Sequence, residues 1–100
     1  MNYKLYIGMN KKNGGKVTEQ NFINTLNQCC KINNISGYSV TDTSGYYIYN
    51  NGDICIEKSK EVLLVDIEKD TVLKAIDYLK KELCQESIML ESVSNTFAFL

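Results

Sequence analysis

The chain has no histidine, no arginine, no proline and no tryptophan. Without histidine it lacks the commonest general base and the commonest metal ligand. Without arginine there is no rigid guanidinium fork for a phosphate or a guanine edge, and all eleven basic residues are lysines. The formal net charge is −1, so no basic field draws a polyanion, and nucleic-acid binding is not expected. The four cysteines, Cys29, Cys30, Cys55 and Cys84, contain no Cys-x-x-Cys pair. Zinc is therefore not expected, and the thiols read as reduced side chains of a cytoplasmic protein. No run is long enough to cross a membrane and the first residues carry no long apolar stretch, so neither a membrane partner nor a signal peptide is expected. Nothing in the sequence calls for a cofactor. Lysine, asparagine and isoleucine are abundant, which matches AT-rich codons and points to a low-GC bacterium or its phage.

What is present fits one small domain over residues 1–100. Tyr3, Leu5, Ile7 and Met9 alternate with Lys4, Tyr6 and Gly8, the period of a strand with one buried face. A polar loop with Gly14-Gly15 follows. Thr18 then has the place of an N-cap, with Glu19 in the first turn and Val17 and Phe22 at the hydrophobic-staple positions. Phe22, Ile23, Leu26, Cys29 and Cys30 recur at three- and four-residue spacing along one helix face.

Residues 38–49 read as a second strand with a bulge at Ser44-Gly45. Asn51-Gly52 is the strongest hairpin signal. A two-residue turn there predicts the pairs Tyr49 with Ile54, Ile48 with Cys55, Tyr47 with Ile56 and Tyr46 with Glu57. The third strand should restart after Lys58-Ser59-Lys60 and run over 62–67, its apolar Val62-Leu63-Leu64-Val65 stretch indicating a central position. Asp70 is expected to cap a second helix with the stripe Val72, Leu73, Ile76, Leu79 and Leu83, and residues 87–93 to form the last strand. Residues 97–100 read as a short apolar tail.

The order β-α-β-β-α-β predicts an α+β, ferredoxin-like fold, an antiparallel sheet with two helices on one face. Its other face is left partly apolar by the tyrosines and the third strand, so a homodimer through that face is expected.

Six polar or aromatic residues stand apart from the core pattern. Tyr6, Tyr46 and Tyr47 offer aromatic walls. Glu57 is a carboxylate inside a strand, costly unless solvated or bonded. Gln85 and Glu86, before the last strand, have the look of a polar grip. These six are the expected ligand-binding set, and Tyr6, Tyr47, Glu57, Gln85 and Glu86 are expected to meet in one concavity. The plain alternatives are core and dimer packing for the tyrosines, a bonded or solvated Glu57, and helix termination for Gln85-Glu86-Ser87. The Asn13-Gly14-Gly15-Lys16 loop is not a Walker motif, because no Lys-Ser/Thr pair follows.

The ordered segments resemble an uncharacterised bacterial family, domain of unknown function 3574. They are Leu5-Tyr6-Ile7-Gly8, Gly37-Tyr38-Ser39-Val40, Gly45-Tyr46-Tyr47, Glu57-Lys58-Ser59-Lys60, Gln85-Glu86-Ser87-Ile88 and the stretch from Phe97 to Phe99. The chain departs from the family pattern at Tyr47, where tryptophan is usual. Shorter proteins with a Leu-Tyr-Ile-Gly start occur in phages and plasmids of low-GC bacteria. The resemblance implies a fold and a residue set but no reaction. The functional expectation is a non-enzymatic binding protein, phage- or mobile-element-borne, that takes a small ligand such as a nucleotide signal, or a host protein, to inhibit a host defence. The alternatives are a small dimeric enzyme with Glu57 or Glu86 as acid/base and a structural or assembly protein.

Overall fold

In a computed structural model, residues 1–48 and 51–94 are described, with the side chain of Tyr47 outside that set. The elements run β1 (Asn2–Gly8), α1 (Glu19–Ile32), β2 (Ser39–Ile48), β3 (Ile54–Leu64), α2 (Lys69–Glu82) and β4 (Met89–Val93). The four strands form one antiparallel sheet in the order β2-β3-β1-β4. This is the expected α+β, ferredoxin-like arrangement.

The period-two pattern of β1 sets the layers. Tyr3, Leu5, Ile7 and, just past the strand, Met9 are buried, while Lys4, Tyr6 and Gly8 point to the open face. Val62 and Leu64 of β3 join them under the helices. The core is completed by Phe22, Leu26 and Cys29 of α1 and by Val72, Ala75 and Leu79 of α2. Thr18 caps α1 as expected, its hydroxyl oxygen accepting from the Asn21 amide at 3.1 Å.

Both helices end in the same way. Asn34 and Cys84 adopt left-handed backbone, φ 55° and 52°. The next amides, Ile35 and Gln85, donate back to the carbonyls of Cys30 and Lys80 at 2.9 Å each. That is the Schellman closure, usually built with glycine.

Four expectations need correction. β2 and β3 are continuous ladders, with no bulge at Ser44-Gly45 and no break at Lys58–Lys60. The hairpin register is displaced by one residue: Ile48 faces Ile54, Tyr47 faces Cys55, Tyr46 faces Ile56, and Gly45, not Tyr46, faces Glu57. A one-residue slip moves every side chain to the opposite face. The last described pair is Ile48 with Ile54, and Gly52 between them has φ 92°. Finally, α2 starts at Lys69 with Glu68 as a cap that makes no side-chain bond, and Asp70 lies in its first turn. Residue 49 and the tail 97–100 lie outside the described residues.

β1 ends opposite Ser59, so beyond Gly45↔Glu57 the β2–β3 hairpin continues without a third strand as an arm. It gives the molecule its length, 48 × 26 × 22 Å, and a radius of gyration of 14.3 Å, against about 13 Å for a compact chain of this size.

Candidate functional site

Where the arm leaves the body, a cavity of about 620 Å³ opens beside the start of α1. The helix-facing positions of the hairpin form one wall, and the loop between β1 and α1 forms the other. That loop folds back on itself. Val17 donates to the Met9 carbonyl at 2.8 Å, Lys11 to the Gly15 carbonyl at 3.0 Å, and Gly14 and Gly15 take the positive φ that the turn requires. Met9 is tied to β3 by its amide, which donates to the Lys58 carbonyl at 2.9 Å.

The lining divides by chemistry. Met9, Val17 and Ile56 give an apolar surface and Ser44 brings a hydroxyl, while Thr43 and Ser59 border the cavity from ladder positions whose side chains face the open side of the sheet. Lys16 and Lys58 bring ammonium groups that have no partner among the described residues, and both are exposed. Pockets with an apolar bed and a few polar groups suit small organic ligands.

The third lysine, Lys60, is engaged within the chain. It is 5% exposed, in line with Val62 and Leu64 on the helix side of β3. Its ammonium donates to Asp42 at 2.5 Å and Glu19 at 2.6 Å, and it lies 5.7 Å from the centre of the Phe22 ring. Burial pulls the ammonium down, but the hydrogen bonds and charges of Asp42 and Glu19 outweigh it and hold Lys60 above the ordinary lysine range. This triad ties β2, β3 and the first turn of α1 together and leaves Lys16 and Lys58 as the cavity's available cations. Sequence reasoning takes Lys58-Ser59-Lys60 for a break and misses it. The signal is there: Lys60 keeps the period of Val62 and Leu64.

The six residues expected from the sequence fall in three places. Tyr6 and Glu57 lie on the open sheet face. The Tyr6 hydroxyl donates to Glu91 across β1–β4, and this bond, with burial and the Glu91 charge behind it, raises the phenol above its usual range. Lys4 beside it bonds Glu61 at 2.9 Å and is raised by that bond and charge. The half-buried Glu57 carboxylate lies over Gly8, its Cδ 3.0 Å from where a Cβ would stand. Only glycine leaves it that room.

Tyr46 is on the other face, 65% exposed and paired with Ile56 at the outer end of the cavity. Tyr47 is placed opposite Cys55, and its side chain lies outside the described residues. Gln85 is buried, its amide donating to the carbonyls of Asn10 and Leu83 at 3.1 Å each. It supports the cavity wall from behind, through Asn10. Glu86 is exposed in the loop before β4. No group of three metal-ligating side chains occurs among the described residues, and no described helix is long and apolar enough to cross a membrane.

Three comparisons place these features among known proteins. The model of a family described as a protein of unknown function (DUF3574) matches residues 2–99. No curated protein sequence matches significantly. Several solved structures share the fold. A phage SAM lyase in complex with S-methyl-5'-thioadenosine superposes with a TM-score of 0.67 at 19% identity, covering 89% of this chain and 76% of the other. The periplasmic divalent cation tolerance protein CutA from Archaeoglobus fulgidus gives 0.64 at 10% identity, covering 97% and 88%. The B. subtilis GlnK–ATP complex gives 0.57 at 16% identity, covering 95% and 85%.

Proposed function

The chain belongs to the DUF3574 family, and we propose that it is a small binding protein that takes a nucleoside-type ligand carrying negative charge. The cavity beside the arm carries this reading. Its apolar bed of Met9, Val17 and Ile56 suits a base or thioether. The Ser44 hydroxyl suits a ribose. Lys16 and Lys58 are free to meet an anionic group because Lys60 is already neutralised by Asp42 and Glu19. Two proteins of the same fold are named with adenosine compounds, S-methyl-5'-thioadenosine and ATP, which supports this ligand class. None of the six residues expected from the sequence is among those that line this cavity; Tyr46 pairs with its Ile56 and Gln85 bonds its Asn10. The arginine-free, lysine-rich composition and the fold shared with a phage enzyme support a phage or mobile-element origin, with capture of a host nucleotide signal as the biological role.

Thermal unfolding with ATP, S-adenosylmethionine and S-methyl-5'-thioadenosine tests the proposal. A ligand at a hundred times its Kd stabilises the folded chain by about 2.7 kcal/mol. ATP should raise the midpoint of the wild type, and Lys16→Ala with Lys58→Ala should remove most of that shift. No shift with any of the three, or an equal shift in the double variant, rejects this reading.

A second reading keeps one observation of its own. Glu57 is a half-buried carboxylate held over Gly8, a place for an acid or base in a small enzyme. Chromatography of S-adenosylmethionine incubated with the wild type and with Glu57→Gln decides it: turnover by the first and none by the second is required.

A further inference from the structure

The β2–β3 arm shows an apolar stripe on one face. Tyr46, Ile48, Ile54 and Ile56 form two directly opposed pairs, and they are 65%, 59%, 64% and 74% exposed. These are helix-side positions, in line with Val62 and Leu64, but they lie beyond the helix layer, so neither helix covers them. Four such side chains present an apolar patch on the order of 400 Å², the size of the largest patch on a monomeric protein and often a functional one. A two-stranded hairpin that packs on nothing is also marginal in water. The stripe therefore lies where a covering surface belongs.

The same chain has a second uncovered surface, the open face of the sheet. Two of its polar pairs are closed within the chain, Lys4 with Glu61 and Tyr6 with Glu91, while the half-buried Glu57 carboxylate lies over Gly8. Between them stand apolar side chains, the half-buried Leu63 and Val93 and the exposed Met89 opposite Tyr6. The paired groups of such a face can be covered without orphaning their donors or acceptors.

We infer that the arm's stripe packs on the open sheet face of a second copy of this chain, and that this copy closes the cavity at the arm's base. Two unlike surfaces on one chain, each in need of the other, make a head-to-tail contact, which gives a ring where the rotation between copies closes. The net charge of −1 sets no strong repulsion between copies. Closure of the cavity follows from Ile56, which belongs both to the stripe and to the cavity lining. Whatever lies on the stripe also walls the ligand. That last step rests on the cavity being the ligand site; the contact itself does not.

Light scattering coupled to size exclusion tests the contact with two single variants, Ile54→Lys on the arm and Met89→Lys on the open face. Both positions are over half exposed, so neither change burdens the fold of one copy, which far-ultraviolet circular dichroism checks. The wild type should run as a multimer at roughly 10 µM and each variant as a monomer. Mixed in equal amounts, the two variants should form a heterodimer, because one intact arm then meets one intact face. A monomeric wild type, or a multimer that survives both substitutions, overturns the inference. So does a multimer broken by Ile54→Lys and untouched by Met89→Lys, which would mean an arm-to-arm contact.

Titration with ATP tests closure: the Ile54→Lys monomer should bind about tenfold more weakly than the wild type. Equal affinity in the two overturns the closure and leaves the contact standing. If ATP binds neither, the ligand reading fails, and the masses still decide the contact.

Discussion

Lys60 is the place where charge and packing can be weighed against each other. Its ammonium is buried, but both carboxylates that hold it belong to exposed residues, with side chains 73% and 79% accessible. Removing the lysine therefore strands no buried anion, because Glu19 and Asp42 simply rehydrate. Each pair is worth about 0.5 kcal/mol at such exposure, and part of that is returned when the ammonium is no longer desolvated. The stem is the larger quantity. Truncation to alanine withdraws three methylenes from contact with Phe22 and its neighbours, at about 0.8 kcal/mol each. Lys60→Ala should thus cost about 3 kcal/mol, and Lys60→Met, which keeps a stem of similar length, about 1 kcal/mol or less. Urea denaturation at one fixed protein concentration measures this; with a slope of about 2 kcal/mol per molar, the midpoints fall by roughly 1.5 M and 0.5 M or less. The pH dependence has a definite sign. Because the folded-state pKa is raised above 10.5, the charge contribution is whole below the unfolded value and is lost as pH climbs through the folded one. A methionine variant as unstable as the alanine variant would refute the reasoning and make charge, not packing, the larger contribution.

Four further outcomes are expected. Burial, with a contribution from Cys30, pushes the Cys29 thiol up to about 11, so maleimide at pH 8 should label the half-exposed Cys55 and Cys84 well before Cys29 and Cys30. The unfolded chain ionises this thiol first, so stability should decline above pH 9 as measured by denaturant titration. Cys84→Gly should raise the urea midpoint by the equivalent of about 0.5–1 kcal/mol, because φ 52° at the helix end suits glycine better than a side chain; a loss of stability would mean that the thiol's packing outweighs the strain. Gln85→Ala should cost about 1–2 kcal/mol by leaving the Asn10 and Leu83 carbonyls unpaired, and an unchanged midpoint would reject the view that this side chain braces the cavity wall.

What is legible in the sequence, and what is not, follows from where the core constrains the chain. Tyr3, Leu5 and Ile7 can be assigned to a face because one side of β1 is wholly buried, so only one phase of the alternation is tolerable. Thr18 can be assigned because a cap is a local bond between neighbours in sequence. The hairpin is the opposite case. Tyr46, Tyr47 and Ile48 are apolar in succession, so Asn51-Gly52 alone speaks for the register, and it does not fix it when the last described pair is Ile48 with Ile54. The arm has no core of its own to correct the choice.

The candidate site fails to show for a related reason. Carboxylates and tyrosines draw attention as chemistry out of place, yet Tyr6 and Gln85 are satisfied within the chain, and the cavity is lined instead by lysines and a serine that look like ordinary surface residues. Lys60 shows why composition alone misleads. A lysine at a core-facing position reads as a break in the pattern until Asp42, opposite it in the ladder, and Glu19, at the start of α1, are seen to converge on it. That convergence is tertiary, and it is what leaves the other two cations of the cavity free.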